Sequence, residues 1–158
     1  MHWAAPPGKL QTSVPIYHTH SEAETLALGA MLAREVPASG VVLLIGNLGA
    51  GKTMLAKGIV SGLGAATPEE VSSPTFTLIH EYGAAPNRAP RVYHIDLYRL
   101  EDLRDAATLG LDEIFESGAL VLVEWGERFP PLMPASRTEI RLRDRGGDER
   151  EIEVTTLP

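Results

Sequence analysis

The chain contains no cysteine. That excludes disulfides, thiolate-held zinc and thiol nucleophiles, and it fits a reducing, cytoplasmic setting. No apolar run approaches the ~20 residues of a membrane span, and the first nine residues, from Met1 to Lys9, carry no apolar core of a signal peptide. Cations are also few: eleven arginines and three lysines face 21 acids, leaving a net charge of −7. Proteins that hold nucleic acid by its phosphates present a basic face, so this balance argues against direct RNA binding as the main task. One of the three lysines, Lys52, lies in a glycine-rich segment, where a compact ammonium suits phosphate chemistry.

What is present fits one α/β domain. A length of 158 residues with 44% apolar content is enough for a real core. Residues 1–13 are rich in Pro, Gly and polar residues and read as a loose tail, leaving 14–158 as the domain. Within it, Gly46-Asn47-Leu48-Gly49-Ala50-Gly51-Lys52-Thr53 fills every fixed position of the phosphate-loop pattern GxxxxGK[ST]. The apolar run Val41–Ile45 before it suits a buried strand, and Met54–Leu63 after it reads as a helix. Such a turn aims backbone N–H groups and the positive end of a helix dipole at one anion. Asn47 to Thr53 thereby form the nucleotide cradle. Lys52 reaches the β- and γ-phosphates, and Thr53 supplies a hydroxyl to Mg²⁺.

The remaining chain reads as follows. Val14–Tyr17 is a short strand. Ser21 and Glu24 form a capping box, which starts a helix from Glu22 to about Glu35. Residues 75–82 and 91–98 are β-rich and flank the turn-forming stretch 83–90, giving a long-looped antiparallel hairpin. Residues 101–117 form one or two short helices broken near Gly110. Ala119–Val123 is a fully apolar strand of the kind a covered parallel sheet needs. Segments 138–143 and 151–155 alternate polar and apolar residues around Gly146 and Gly147 and suit an exposed antiparallel hairpin. Together these elements predict a P-loop NTPase fold: a single domain with a mixed, mostly parallel sheet flanked by helices and an antiparallel hairpin at the C-terminus.

A phosphate loop needs a metal-side acid and a group that positions water. Two acids end predicted strands, Asp96 and Glu124, at the carboxyl edge where α/β sheets bind ligands. The hairpin geometry brings Thr75 beside Asp96, where it can act as a switch threonine. Both acids are candidates for one Mg²⁺. Trp125 serves either as a lid or as packing. His18 and His20 belong to a surface loop rather than to a metal pair, and Arg99 and Arg128 read as solvated.

In this order and spacing, GNLGAGKT, SSPTFTLIHEY, HIDLYRL and LVEWGER resemble the bacterial TsaE (YjeE) family, as does Ser21–Gly29 at the first helix. The resemblance covers about residues 14–143. It implies a weak Mg²⁺-dependent ATPase needed for threonylcarbamoyladenosine (t6A) in tRNA, working with the partner proteins TsaB and TsaD, with tRNA reached only through that complex. It further implies phosphate and metal contacts from Lys52 and Thr53, Glu124 as the second metal ligand, and Asp96 acting through water. Thr75 would be the switch residue, and an adenine site would lie between Glu22 and the region of Gly146.

Two other functions stay in view. A small-molecule kinase needs an arginine-rich lid and an acceptor pocket, and the sequence signals neither. An ATP-gated interaction module without productive hydrolysis would use nucleotide to order residues 72–76 for docking. The absence of an NKxD-like guanine motif disfavours a GTPase, and the absence of an LSGGQ-like signature disfavours an ABC-type ATPase.

Overall fold

The computed structural model describes residues 14–83 and 90–158. The predicted tail at 1–13 and most of the predicted hairpin loop lie outside these residues. The described elements are β1 (Ile16–Thr19), α1 (Glu22–Leu32), β2 (Gly40–Ile45), α2 (Lys52–Gly62), β3 (Ile79–Tyr82), β4 (Val92–Asp96), α3 (Leu103–Ala107), α4 (Leu111–Phe115), β5 (Leu120–Glu124), β6 (Arg137–Gly146) and β7 (Glu149–Leu157), joined in places by short 3-10 turns. The strands form one seven-stranded sheet in the order β1-β7-β6-β2-β5-β4-β3. Its four central strands, β6, β2, β5 and β4, run parallel. The pairs at the two edges are antiparallel.

Strand alternation divides the core into two layers. Val42, Leu44, Leu120, Leu122 and Ile140 pack under α1 and α2. Val41, Leu43, Val121, Val123 and Ile95 face the opposite way, toward Ala106, Leu111, Phe129 and Met133. β2 and β5 are buried on both faces, which is why they read as unbroken apolar runs.

The two long helices meet backbone to backbone. A Cβ added at Gly58 would lie 2.2 Å from the Leu26 carbonyl oxygen and 2.8 Å from the Gly29 Cα, and one at Gly29 would lie 2.5 Å from the Leu55 carbonyl oxygen. Since α2 starts at the phosphate loop and α1 starts at Glu22, this contact fixes the two helix N-termini relative to each other.

Several boundaries depart from the sequence reading. α1 ends at Leu32, and Ala33 to Glu35 form a turn. Only one arm of the capping box closes as expected: Glu24 N–H donates to Ser21 Oγ at 3.0 Å, while Glu24 Oε1 accepts from the His20 N–H at 2.8 Å. Residues 75–77 form a turn rather than the first half of a strand. Leu78 N–H closes that turn on the Pro74 carbonyl at 2.6 Å, with Leu78 at φ +70°. The C-terminal hairpin is not an exposed appendage. β6 pairs in parallel with β2, and Ile140, Leu142 and Ile152 are buried. The break predicted near Gly110 is present, with Gly110 at φ +71° between α3 and α4.

Candidate functional site

The carboxyl ends of β2, β4 and β5 open on a cavity of about 400 Å³. Lys52, Thr53, Asp96, Glu124, Thr75 and Ser73 line it, together with Leu48, Gly49, Gly51, Tyr98 and Trp125. The loop between β2 and α2 is shaped by its glycines. Gly49 sits at φ +82° and Gly51 at φ +101°, a region that favours glycine. Gly51 caps α2 with no side-chain hydrogen bond, so the amides of the first helical turn remain for an anion. Ala50 is buried against the loop, whereas Leu48 is 71% exposed at the cavity mouth. Asn47 faces a neighbouring cavity of about 360 Å³ on the far side of Trp125, shared with Glu127 and Arg141.

Lys52 is buried. Its Nζ donates to the Gly46 carbonyl at 2.7 Å and lies 3.5 Å from the centroid of the Trp125 ring. Burial pushes its ammonium below the ordinary value of 10.5, against the opposing pull of Glu124, Glu127 and Asp96. To reach a phosphate in the loop, the ammonium exchanges the carbonyl and the indole face for the anion. Trp125 adopts φ +66°, and with Leu78 it is one of two non-glycine residues at positive φ among the described residues. Each follows closely on a candidate site residue, Glu124 or Thr75, and such strain persists where the surroundings enforce it.

The two acids are neighbours on adjacent strands, with Asp96 paired opposite Glu124. Asp96 is held on both oxygens. Oδ2 accepts from Ser73 Oγ and Thr75 Oγ1, each at 3.1 Å, and Oδ1 accepts from the Tyr98 N–H at 2.9 Å. Thr75 therefore meets Asp96 as the hairpin reading expected, although it does so from a turn. Glu124 Oε2 lies 3.5 Å from Thr53 Oγ1 and 2.6 Å from the Nε2 of buried His94.

These donors suit a small hard cation. Thr53 and Glu124 offer oxygen ligands side by side, and adjacent ligands of an octahedral Mg²⁺ stand about 3.0 Å apart when its bonds are ~2.1 Å. Among the described residues no group of three or more His, Cys, Asp or Glu could hold a metal by itself. A cation here would complete its shell from nucleotide phosphate and water, as Mg²⁺ does.

Glu22 lies at the rim of the large cavity and of a smaller one beside it, about 80 Å³. Gly146 lines neither; the hairpin contributes Asp148 and Arg150 to the smaller one instead. Nothing in the sequence near Arg150 sets it apart from the other ten arginines. Its Nε donates to the Ala50 carbonyl at 3.0 Å and its second amino group to the Gly49 carbonyl at 3.2 Å. Its remaining amino group bonds the Gly147 and Glu149 carbonyls and Asp144 within the hairpin. Phosphate-loop carbonyls that point outward onto a guanidinium leave the loop amides free to point inward. Ser73 and His94 also reach the two acids, and neither carries a signal in the sequence that distinguishes it from its segment. Arg128 donates to the Tyr98 and Leu100 carbonyls, each at 2.8 Å, and Arg99 lies over Phe76, so neither is merely solvated.

Comparison with known proteins gives one consistent answer. The family model for the threonylcarbamoyl adenosine biosynthesis protein TsaE matches residues 19–152. A tRNA threonylcarbamoyladenosine biosynthesis protein TsaE from Bacillus subtilis is 40% identical over 143 residues, covering 89% of this chain and 85% of that protein. Its namesake from Treponema pallidum is 37% identical over 136 residues, covering 86% and 96%. The crystal structure of Bacillus subtilis YdiB superposes with a TM-score of 0.72 at 33% identity, covering 94% of this chain and 90% of that one.

Proposed function

Since the chain belongs to the TsaE family, we propose that it is a Mg²⁺-dependent ATPase that supports threonylcarbamoyladenosine synthesis on tRNA by acting on a TsaB–TsaD partner complex. The observation that carries the ATPase reading is the convergence of Lys52, Thr53, Asp96 and Glu124 on one cavity beneath the phosphate loop. In this reading Lys52 and the loop amides hold the β- and γ-phosphates. Thr53 and Glu124 hold Mg²⁺, whose role is to neutralise charge that develops on the phosphates. Asp96 and Thr75, already hydrogen-bonded to each other, orient the attacking water. The net charge of −7 supports a route to tRNA through proteins. No helix among the described residues is long and apolar enough to cross a membrane.

The test is reconstitution of tRNA modification with TsaB, TsaD, this chain and ATP. Modified tRNA is expected to accumulate over repeated turnovers only when both the chain and ATP are present. Lys52→Ala is expected to abolish both ATP hydrolysis and that support. A Lys52→Ala protein that hydrolyses ATP at the wild-type rate refutes the assignment.

One observation favours a second reading, an ATP-gated docking module. Phe76 is 82% exposed on the turn that hangs from Asp96 through Ser73 and Thr75. ATP-dependent partner binding that survives both Asp96→Ala and Glu124→Ala would select this reading over productive hydrolysis.

A further inference from the structure

His94 is the only buried histidine among the described residues, and its exposure is 0%. It lies on β4 two residues before Asp96, on the sheet face covered by α1 and α2. Its Nε2 is 2.6 Å from Glu124 Oε2, so the proton on that nitrogen is donated to the carboxylate. Its other ring nitrogen, Nδ1, is buried with no hydrogen-bond partner among the described residues. A histidine retained only for packing would leave two polar atoms to satisfy where an apolar ring of similar volume leaves none. Here one nitrogen goes unsatisfied while the other serves a single acid.

The division of labour between the two acids sharpens the point. Asp96 is oriented by Ser73, Thr75 and the Tyr98 amide. None of these touches Glu124, whose carboxylate has His94 at 2.6 Å and Thr53 only at 3.5 Å. Glu124 ends its strand, and without His94 its side chain keeps only the long contact to Thr53. We propose that His94 is a positioning residue: it fixes the Glu124 carboxylate toward Thr53, so that the two present their oxygens together to the divalent cation that accompanies the nucleotide. This rests on the reading of Glu124 as a metal ligand. Residues that orient metal ligands in this way are worth about 10–100-fold in metal affinity.

The test measures ATP binding to the full chain by calorimetry, in Mg²⁺ and in EDTA, and takes the ratio of the two dissociation constants. His94→Phe is expected to lose tenfold or more of the Mg²⁺-dependent tightening, while binding in EDTA stays within about twofold, because the loop amides and Lys52 are untouched. His94→Gln carries an amide nitrogen near the position of Nε2 and is expected to keep most of the tightening. His94→Asn carries its amide near Nδ1 and is expected to behave like His94→Phe. Retention of the ratio in His94→Phe overturns the proposal. So does an equal loss in the Gln and Asn variants, and that pair decides the matter if His94→Phe does not fold. Glu124→Gln is measured alongside. If it keeps the ratio, the metal assignment of Glu124 fails; if it loses the ratio while His94→Phe keeps it, only the role of His94 fails.

Discussion

Replacing Gly58 by alanine sets two effects of opposite sign against each other. Gly58 lies inside α2, where intrinsic propensity favours alanine over glycine by about 1 kcal/mol. Packing opposes the change. The new Cβ would stand 2.2 Å from the Leu26 carbonyl oxygen and 2.8 Å from the Gly29 Cα. A comfortable carbon–oxygen contact is near 3.3 Å, so the overlap is about 1 Å. Both neighbours are backbone, and no rotamer change relieves them; α2 must move away from α1. Overpacking of this kind costs about 1–3 kcal/mol, and a backbone clash belongs at the upper end. The net expectation is destabilisation by about 2 kcal/mol, a fall in Tm of roughly 4–8 °C for a domain of this size. Thermal unfolding followed by circular dichroism measures it. Because α2 begins at Lys52, ATP binding should weaken in the same variant. A Tm equal to or above that of the wild type would refute the backbone contact, since propensity would then have prevailed unopposed.

Two further outcomes follow from the loop's surroundings. Arg150→Met removes the guanidinium that engages the Gly49 and Ala50 carbonyls while keeping much of the aliphatic stem, and ATP affinity should fall about tenfold, ~1.4 kcal/mol; unchanged affinity in a nucleotide titration would show that the loop holds its shape alone. Burial pushes the Glu127 carboxyl above its ordinary value of 4.5, with its own backbone amide, Lys52, Arg141 and Arg128 offsetting this only in part. The folded chain therefore keeps that proton to higher pH than the unfolded chain does, and the acid's contribution makes stability fall as pH rises above 4.5. Glu127→Gln should abolish this component, so the variant's Tm advantage should grow from pH ~4.5 toward neutrality, and parallel Tm–pH profiles would refute it.

The parts of the site that were legible in the sequence are those where chemistry and local pattern coincide. GxxxxGKT is contiguous, and β2 and β5 are apolar throughout because both their faces are covered. Glu124 is legible because it ends such a strand, and Asp96 because it ends the β-rich run of β4. The rest depends on what lies across space. The Thr75–Leu78 stretch has strand composition, but hydroxyl contacts to Asp96 and the turn closed on Pro74 override that propensity. Alternation in 138–143 revealed one buried face of β6 but not which strand lies beside it. Arg150 has no local signal at all: its partners in the loop lie 100 and 101 residues earlier. His94 reads as one more residue of a β-rich run until β5 brings Glu124 within reach.

That long reach bears on when the candidate site is assembled during synthesis of the chain. The loop at Gly46–Thr53 is made early, yet the neighbours of its strand are β5 and β6, and its carbonyls wait for Arg150. From Thr53 to Arg150 the ribosome adds 97 residues (150 − 53), roughly 5–20 s at ~5–20 residues per second. Over that interval the loop has its sequence and the helices α1 and α2, but not the full set of neighbours that flank and brace it. A chain interrupted before the last hairpin would contain the whole nucleotide motif and still lack both the strand that flanks it and the arginine that braces it. Full assembly of the loop's surroundings is thus deferred until the β6–β7 hairpin has been made.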